Sequence, residues 1–208
     1  MQSRVQWTVA GCFAVFHQLC SIRRSVPSSV FQTLVDALVL PKLDYGNATL
    51  VGLPPNLLNH LQSVLNASAR SIAGLRCSPY ITETLASFHW LHAPQRINFK
   101  LAVNVYRALY STVLRYLSNT LNRVADILSQ CHLHSSTSSQ LMVRRSPLVT
   151  VGERSFTSVS PRLQNGLPDN IMTTSSLSDF RRKLKTYLII SGYCLVVFLT
   201  MADLEVVS

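Results

Sequence analysis

Chemistry at a pair of metal ions needs carboxylates clustered tightly enough to hold both ions about 4 Å apart. The nine acidic residues of this 208-residue chain are scattered, and no two are adjacent. Asp203 and Glu205 come nearest, on a tail with no supporting motif. Other templates fail as well: there is no G-x-S-x-G, no H-E-x-x-H and no G-x-x-x-x-G-K. Cys131-His132-Leu133-His134 places three zinc-type ligands within four residues, with Cys77 as the candidate fourth. That is too crowded for the usual spacers of about two to four residues. His89 and His92 flank Trp90 and Leu91, the pattern of a half-buried aromatic cluster. The expectation is a non-enzyme with no catalytic residue, metal site or cofactor, and no small-molecule substrate.

Positive charge is what the chain has in excess. Nineteen Lys and Arg against nine acids give a formal net charge of +10. A surplus of that size favours polyanions, either nucleic acid or an anionic membrane surface. The cations gather in two places. Arg96, Lys100 and Arg107 fall within about 40° of one another at about 100° per residue, opposite an apolar stripe. Arg181, Arg182, Lys183 and Lys185 put four cations into five residues. Both groups are candidates for contacts with backbone phosphates; the plain alternative is that they only solvate their helices. Tyr80, Trp90 and Tyr106 could stack on bases, but their spacing suits a core.

These cations need helices to present them, and the apolar periodicity supplies several. Hydrophobic residues make up 48% of the chain and charged ones 13%, which excludes global disorder. Ser28 or Ser29 can cap a helix carrying Val30, Phe31, Leu34, Val35, Leu38 and Val39, with Pro41 as its stop. Pro54 and Pro55 open a second, with Leu57, Leu58, Leu61, Val64, Leu65 and Ile72 inward and Gly74 at its end. A third follows Pro94, with Ile97, Leu101, Val105 and Leu109 inward. A fourth runs through Leu114, Leu117, Leu121, Val124 and Leu128. Weaker helical patterns cover residues 5–23 and 82–90.

Composition changes at Ser129, and Ser135 to Ser139 read as a linker or exposed loop. Beyond it a short β-hairpin is expected from Leu141-Met-Val and Leu148-Val-Thr-Val, and Asn165-Gly166 marks a turn. Ser176 and Asp179 match the capping box in acidic form and open a helix with Leu177, Phe180, Leu184 and Leu188 inward. The fold class is therefore mainly α. The expected division is a helical region over 1–128, a Ser-rich linker over 129–140, a small C-terminal module over 141–190 ending in a basic helix, and an apolar tail over 191–208.

The five cysteines are odd in number and widely spaced, so reduced thiols in an intracellular protein, nuclear or cytoplasmic, fit better than disulfides. His17 and Gln18 interrupt the N-terminal apolar run, and no signal-peptide cleavage pattern follows.

Several strings, taken together and in order, resemble LINE-type (non-LTR) retrotransposon reverse transcriptases. Phe31 to Asn47, ending in Leu43-Asp-Tyr-Gly-Asn47, is similar to the helix and "LDYGN" segment just downstream of the polymerase core of that family. Gly52-Leu-Pro and Leu61 to Arg70 continue it. His89-Trp90-Leu91 with Arg96-Ile-Asn-Phe-Lys-Leu resembles its "LHWL…RI.FKL" signature. Leu148 to Phe156, Pro161 to Pro168 and Ser176 to Leu188 resemble its terminal region. The colinear set covers roughly residues 10–188.

The resemblance implies a thumb-like helical region followed by a C-terminal module, helping to hold the template-primer duplex of an RNA-directed DNA polymerase. The endonuclease and the palm aspartates would lie upstream, which accounts for the missing carboxylates. His17, Cys20, Cys131, His132 and His134 stand where the family commonly carries arginine, and Gln164 where it carries tryptophan. Arginine codons reach Cys or His by one base change, so the resemblance implies a decaying transposable element. Its cations, Arg96, Lys100, Arg107, Arg181, Arg182, Lys183 and Lys185, would then bind RNA or DNA duplex through phosphates, without sequence preference.

A rival expectation lies at the C-terminus. Tyr187 to Ala202 is sixteen residues without a charge, about 24 Å as a helix, preceded by basic residues and followed by Asp203 and Glu205. It would suit a tail anchor on a basic protein, or foreign sequence translated past the element's normal end; a further alternative is that the whole chain is a translated pseudogene without function.

Overall fold

The computed structural model describes residues 2–75, 81–110, 115–124, 140–144 and 152–205. Among these the chain is mainly α, and the extended pairing is an isolated bridge between Arg123 and Leu141. It divides into two compact units, one of residues 1–97 with 185–208 and the other of residues 98–184. The Ser-rich run at 135–139 lies outside the described residues.

The first unit is built from α1 (Gln2–Ile22), α2 (Ser28–Leu38), α3 (Leu40–Asp44), α4 (Pro55–Ala73) and α5 (Ile81–Ser87). The helix α6 (Ala93–Leu109) begins in it, and α10 (Leu177–Glu205) ends in it. The central helix α4 has the limits expected of its punctuation. Pro55 enters at a position whose N–H has no helical partner, and Gly74 leaves in the left-handed conformation at φ 69°. The Leu75 N–H then reaches back to the Arg70 carbonyl at 3.0 Å. Leu57, Leu61, Val64, Leu65 and Ile72 are buried in one cluster with Phe31, Val35 and Val39 and with Val5, Cys12 and Leu19 of α1.

Pro41 does not stop α2 as expected. The helix ends at Leu38, and Pro41 sits in the first turn of α3, where its missing N–H leaves no bond unmade. The buried stripe of α2 is also narrower than expected: Val30 and Leu38 are each 45% exposed. Arg23 closes this corner. Its guanidinium donates to the Ser71 and Ile72 carbonyls at the end of α4, at 3.0 and 3.3 Å, and lies over the Phe31 ring.

Cys12 is fully buried on α1, and burial pushes its thiol up from about 9 to about 11, against the lowering effect of Lys42. The protonated thiol is therefore favoured by the fold. Its contribution to stability is complete below pH 9 and is lost as the pH rises towards 11. Cys12 should resist thiol reagents at pH 8 in the native chain and react on unfolding. Ready native reaction would contradict the burial.

In the second unit, Tyr106 of α6 stacks on Phe180 of α10 with ring centroids 4.4 Å apart, and its hydroxyl donates to the Thr174 carbonyl at 2.9 Å. The helix expected through residues 114–128 is cut short among the described residues: α7 covers Arg115–Ser118 and a turn follows it, while residues 114 and 125–128 lie outside the described residues. Thr120 turns its N–H and its hydroxyl back to the Leu117 carbonyl, and the Leu121 N–H follows to Ser118. Hydroxyl side chains compete with the helical ladder, and here the Thr120 hydroxyl takes up the Leu117 carbonyl where the helix ends. Leu121 then buries itself, and Met142 N–H bonds the Asn122 carbonyl while Val124 N–H bonds Gln140. Leu141 thus pairs with the segment after α7. The other strand of the expected hairpin, at 148–151, lies outside the described residues.

Two helices were not expected, α8 (Phe156–Asn165) and α9 (Asp169–Met172). The Asn165-Gly166 turn closes α8, and the Asn165 amide grips both the N–H and the carbonyl of Leu141, at 2.8 and 2.9 Å. Buried on α8, one turn apart, are Ser160 and Gln164, and neither Ser160 Oγ nor Gln164 Oε1 has a hydrogen-bond partner. An orphaned buried acceptor costs about 1–3 kcal/mol. Gln164→Leu should therefore stabilise the chain by about 1–2 kcal/mol, read as a raised urea midpoint with an unchanged slope. A lowered midpoint would show that the amide is satisfied.

Candidate nucleic-acid interface

The expected cations fall into different environments. In the first unit Arg96 is not turned to solvent: its side chain is 13% exposed. Its Nε donates to Asp44 Oδ1 at 2.8 Å and its Nη2 to Asp44 Oδ2 at 2.6 Å. Asn47 Nδ2 donates to the same Asp44 Oδ1 at 3.0 Å. The fork of a guanidinium matches the two oxygens of a carboxylate, so this is an anchored pair rather than a loose surface contact. It joins Asp44 and Asn47 of the "LDYGN" string to Arg96 of the "RI.FKL" string. Arg96 therefore holds the fold at α3 and α6 and leaves the proposed phosphate-facing set.

Lys185 is exposed on α10 in the same unit. Burial pushes the Asp36 carboxyl up, while a hydrogen bond from Trp90 and the charges of Arg96 and Lys185 oppose that shift. Lys185 thus has an acidic neighbour within its own unit.

The second unit carries the rest. Phe180 and Leu184 are buried, which turns Arg181, Arg182 and Lys183 outward on α10. Arg182 pairs with Asp179 at 2.8 Å, with the two side chains 75% and 48% exposed. An exposed pair of this kind is worth little and does not hold the arginine against a competing phosphate. Lys183 donates to the Asn170 carbonyl at 3.1 Å. Ser176 and Asp179 do not close the expected capping box: Ser176 Oγ meets Ser178 Oγ, and Asp179 meets Arg182. On α6, Lys100 is exposed and Arg107 half-buried. Both lie about 100–120° around the helix from Tyr106, which faces α10.

The aromatic residues weighed for stacking behave as core where they are described. Trp90 is 5% and Tyr106 4% exposed; Tyr80 lies outside the described residues. His89 is exposed and adopts φ 54°, closing α5 as a glycine would, with Trp90 N–H to Leu85 and His89 N–H to Ala86. Among the described residues no three metal-type ligands gather. Cys77 and the Cys131–His134 cluster lie outside them.

Sequence reasoning missed two exposed aromatics, Trp7 at 80% and Tyr45 at 79% exposure. A signal for Trp7 existed. It stands about 200° around α1 from Val5, which with Cys12 and Leu19 makes the buried stripe. Tyr45 carries no such signal, because its exposure follows from the turn after α3. No protein-family model, curated protein or solved structure matches this chain.

Proposed function

We propose that the chain is a non-catalytic, thumb-like fragment of a LINE-type retrotransposon reverse transcriptase that binds template-primer nucleic acid through its basic helices. The observation that carries this reading is the outward set on the second unit: Lys100 on α6 with Arg181, Arg182 and Lys183 on α10. A buried Phe180 fixes the helix that presents the last three. Such contacts position a duplex without reading its bases, so binding should be indifferent to sequence and weakened by salt. Filter binding of an RNA–DNA hybrid at low salt tests it. Retention that fades as salt rises supports the reading, and no retention at low salt rejects it.

The alternative, a membrane-anchored basic protein, rests on residues 187–202. The helix α10 does continue through this run to Glu205. Its first part, however, is occupied within the first unit. Leu188 is buried, and its carbonyl accepts a 2.8 Å bond from the Gln95 amide. A side chain at Gly192 would collide with that amide. Only about ten residues are then left before Asp203, about 15 Å of helix against a hydrocarbon core of about 30 Å. This favours the nucleic-acid reading. Carbonate extraction separates the two, since an anchored chain stays with the membrane. A translated pseudogene without function is the outcome if the chain neither binds hybrid nor resists extraction.

A further inference from the structure

Three features of the first unit converge on one small surface. Arg4 of α1 donates from Nη1 to Thr49 Oγ1 at 2.9 Å, and its guanidinium covers Gly46 so closely that any Cβ there would collide with it. Gly46 also holds φ 69°, so two separate requirements select glycine at this turn. Trp7 lies three residues beyond Arg4 on the same side of α1. Tyr45 directly precedes the glycine that Arg4 covers. Trp7 is thus one turn along α1 from Arg4 and Tyr45 is next in the chain to the glycine that Arg4 covers, and both are about four-fifths exposed, at 80% and 79%. Lys42 is exposed one turn before Tyr45. The nearby Asp44 is held by Arg96 and does not offset these cations.

Large aromatics left in water beside arginine and lysine need an occupant that offers flat rings and negative charge together. Unpaired nucleotides do so: bases stack on aromatic rings, and the phosphates between them meet the cations. A duplex does not, because its bases are already stacked on one another. We infer that Trp7, Tyr45, Arg4 and Lys42 form a stacking platform for single-stranded nucleic acid, separate from the duplex-binding cations of the second unit. An apolar protein partner would not draw on Arg4 and Lys42, so the charge favours the nucleic acid.

The chain has two tryptophans, and Trp90 is buried beyond the reach of a surface ligand, so quenching by a stacked base reports on Trp7 above the constant emission of Trp90. The full chain is titrated with a 20-mer oligothymidylate, with an abasic backbone of the same length and charge, and with a 20-base-pair duplex. Oligothymidylate should quench the emission, and the abasic strand should not. Trp7→Ala should abolish the quenching, and Tyr45→Ala should weaken oligothymidylate binding about 10-fold or more, both with duplex affinity unchanged. Both positions are exposed, so the variants should melt at the temperature of the parent chain, which thermal melting checks. Equal quenching by the abasic strand would overturn the platform, leaving phosphate contact alone. So would absence of quenching, or a dimer that Trp7→Ala converts to monomer while oligothymidylate has no effect. The duplex arm reports on the second unit, so failure there leaves this test intact.

Discussion

Asp44→Ala should lower the unfolding free energy by about 2–4 kcal/mol, one of the two largest losses expected from a single substitution in this chain. The change leaves the Arg96 guanidinium, 13% exposed, without the carboxylate that meets two of its nitrogens. It also removes the acceptor of the Asn47 amide. A charge that is mostly withdrawn from water and loses its partner has nowhere to recover the lost hydration. Arg96→Lys keeps the charge and loses the fork, so it should recover the stability only in part. The double variant Asp44→Ala with Arg96→Ala should be less unstable than the sum of the single changes, because it leaves no orphan charge. Urea melts of the four chains measure this. Losses that add without coupling would show that the pair is a surface contact of little weight.

Phe180→Ala should cost about 3–5 kcal/mol. The ring is fully buried and stacks on Tyr106 at 4.4 Å, so its loss opens a cavity at the start of α10. Phe180→Leu should cost much less, because most of the apolar volume stays. Tyr106→Phe removes only the hydroxyl and leaves the Thr174 carbonyl unpaired, at about 1–2 kcal/mol. The functional consequence follows from the same geometry. Phe180 orients the turn that carries Arg181, Arg182 and Lys183, so the Phe180→Ala chain should also bind hybrid more weakly in conditions where it remains folded. Full stability in Phe180→Ala would mean that the α6–α10 contact is incidental.

The elements that punctuation and period define were legible in the sequence, and those set by distant partners were not. Pro54, Pro55 and Gly74 bound α4 by backbone rules that act within a few residues. The stripe of Ile97, Leu101 and Val105 needed only the helical period, and all three are buried. Two local rules competed at α7, and the turn closed by the Thr120 hydroxyl on the Leu117 carbonyl prevailed over the leucine period. The helix α8 escaped notice because it buries serines, a proline and Gln164 rather than an apolar stripe. Pro41 opens α3 rather than closing α2, since one proline can close a helix or open the next and the local sequence suits both.

Among the site residues, helical spacing alone placed Arg96 with Lys100 and Arg107. It could not reveal that Asp44, 52 positions away, holds the guanidinium. The outward cations of α10 were readable because Phe180 and Leu184 fix its inner face. The outward place of Trp7 was readable from the helical period of α1, whereas the exposure of Tyr45 was not, because it depends on the turn after α3.

The most direct test of the nucleic-acid reading is the salt dependence of hybrid binding, measured on two unrelated sequences. The parent chain is compared with the triple variant Lys100→Ala, Arg181→Ala, Lys183→Ala. Each lost phosphate contact should flatten the slope of log K against log salt by about 0.9, so the triple change should flatten it by about 3, equally on both sequences. An unchanged slope, or a preference for one sequence, would contradict the account.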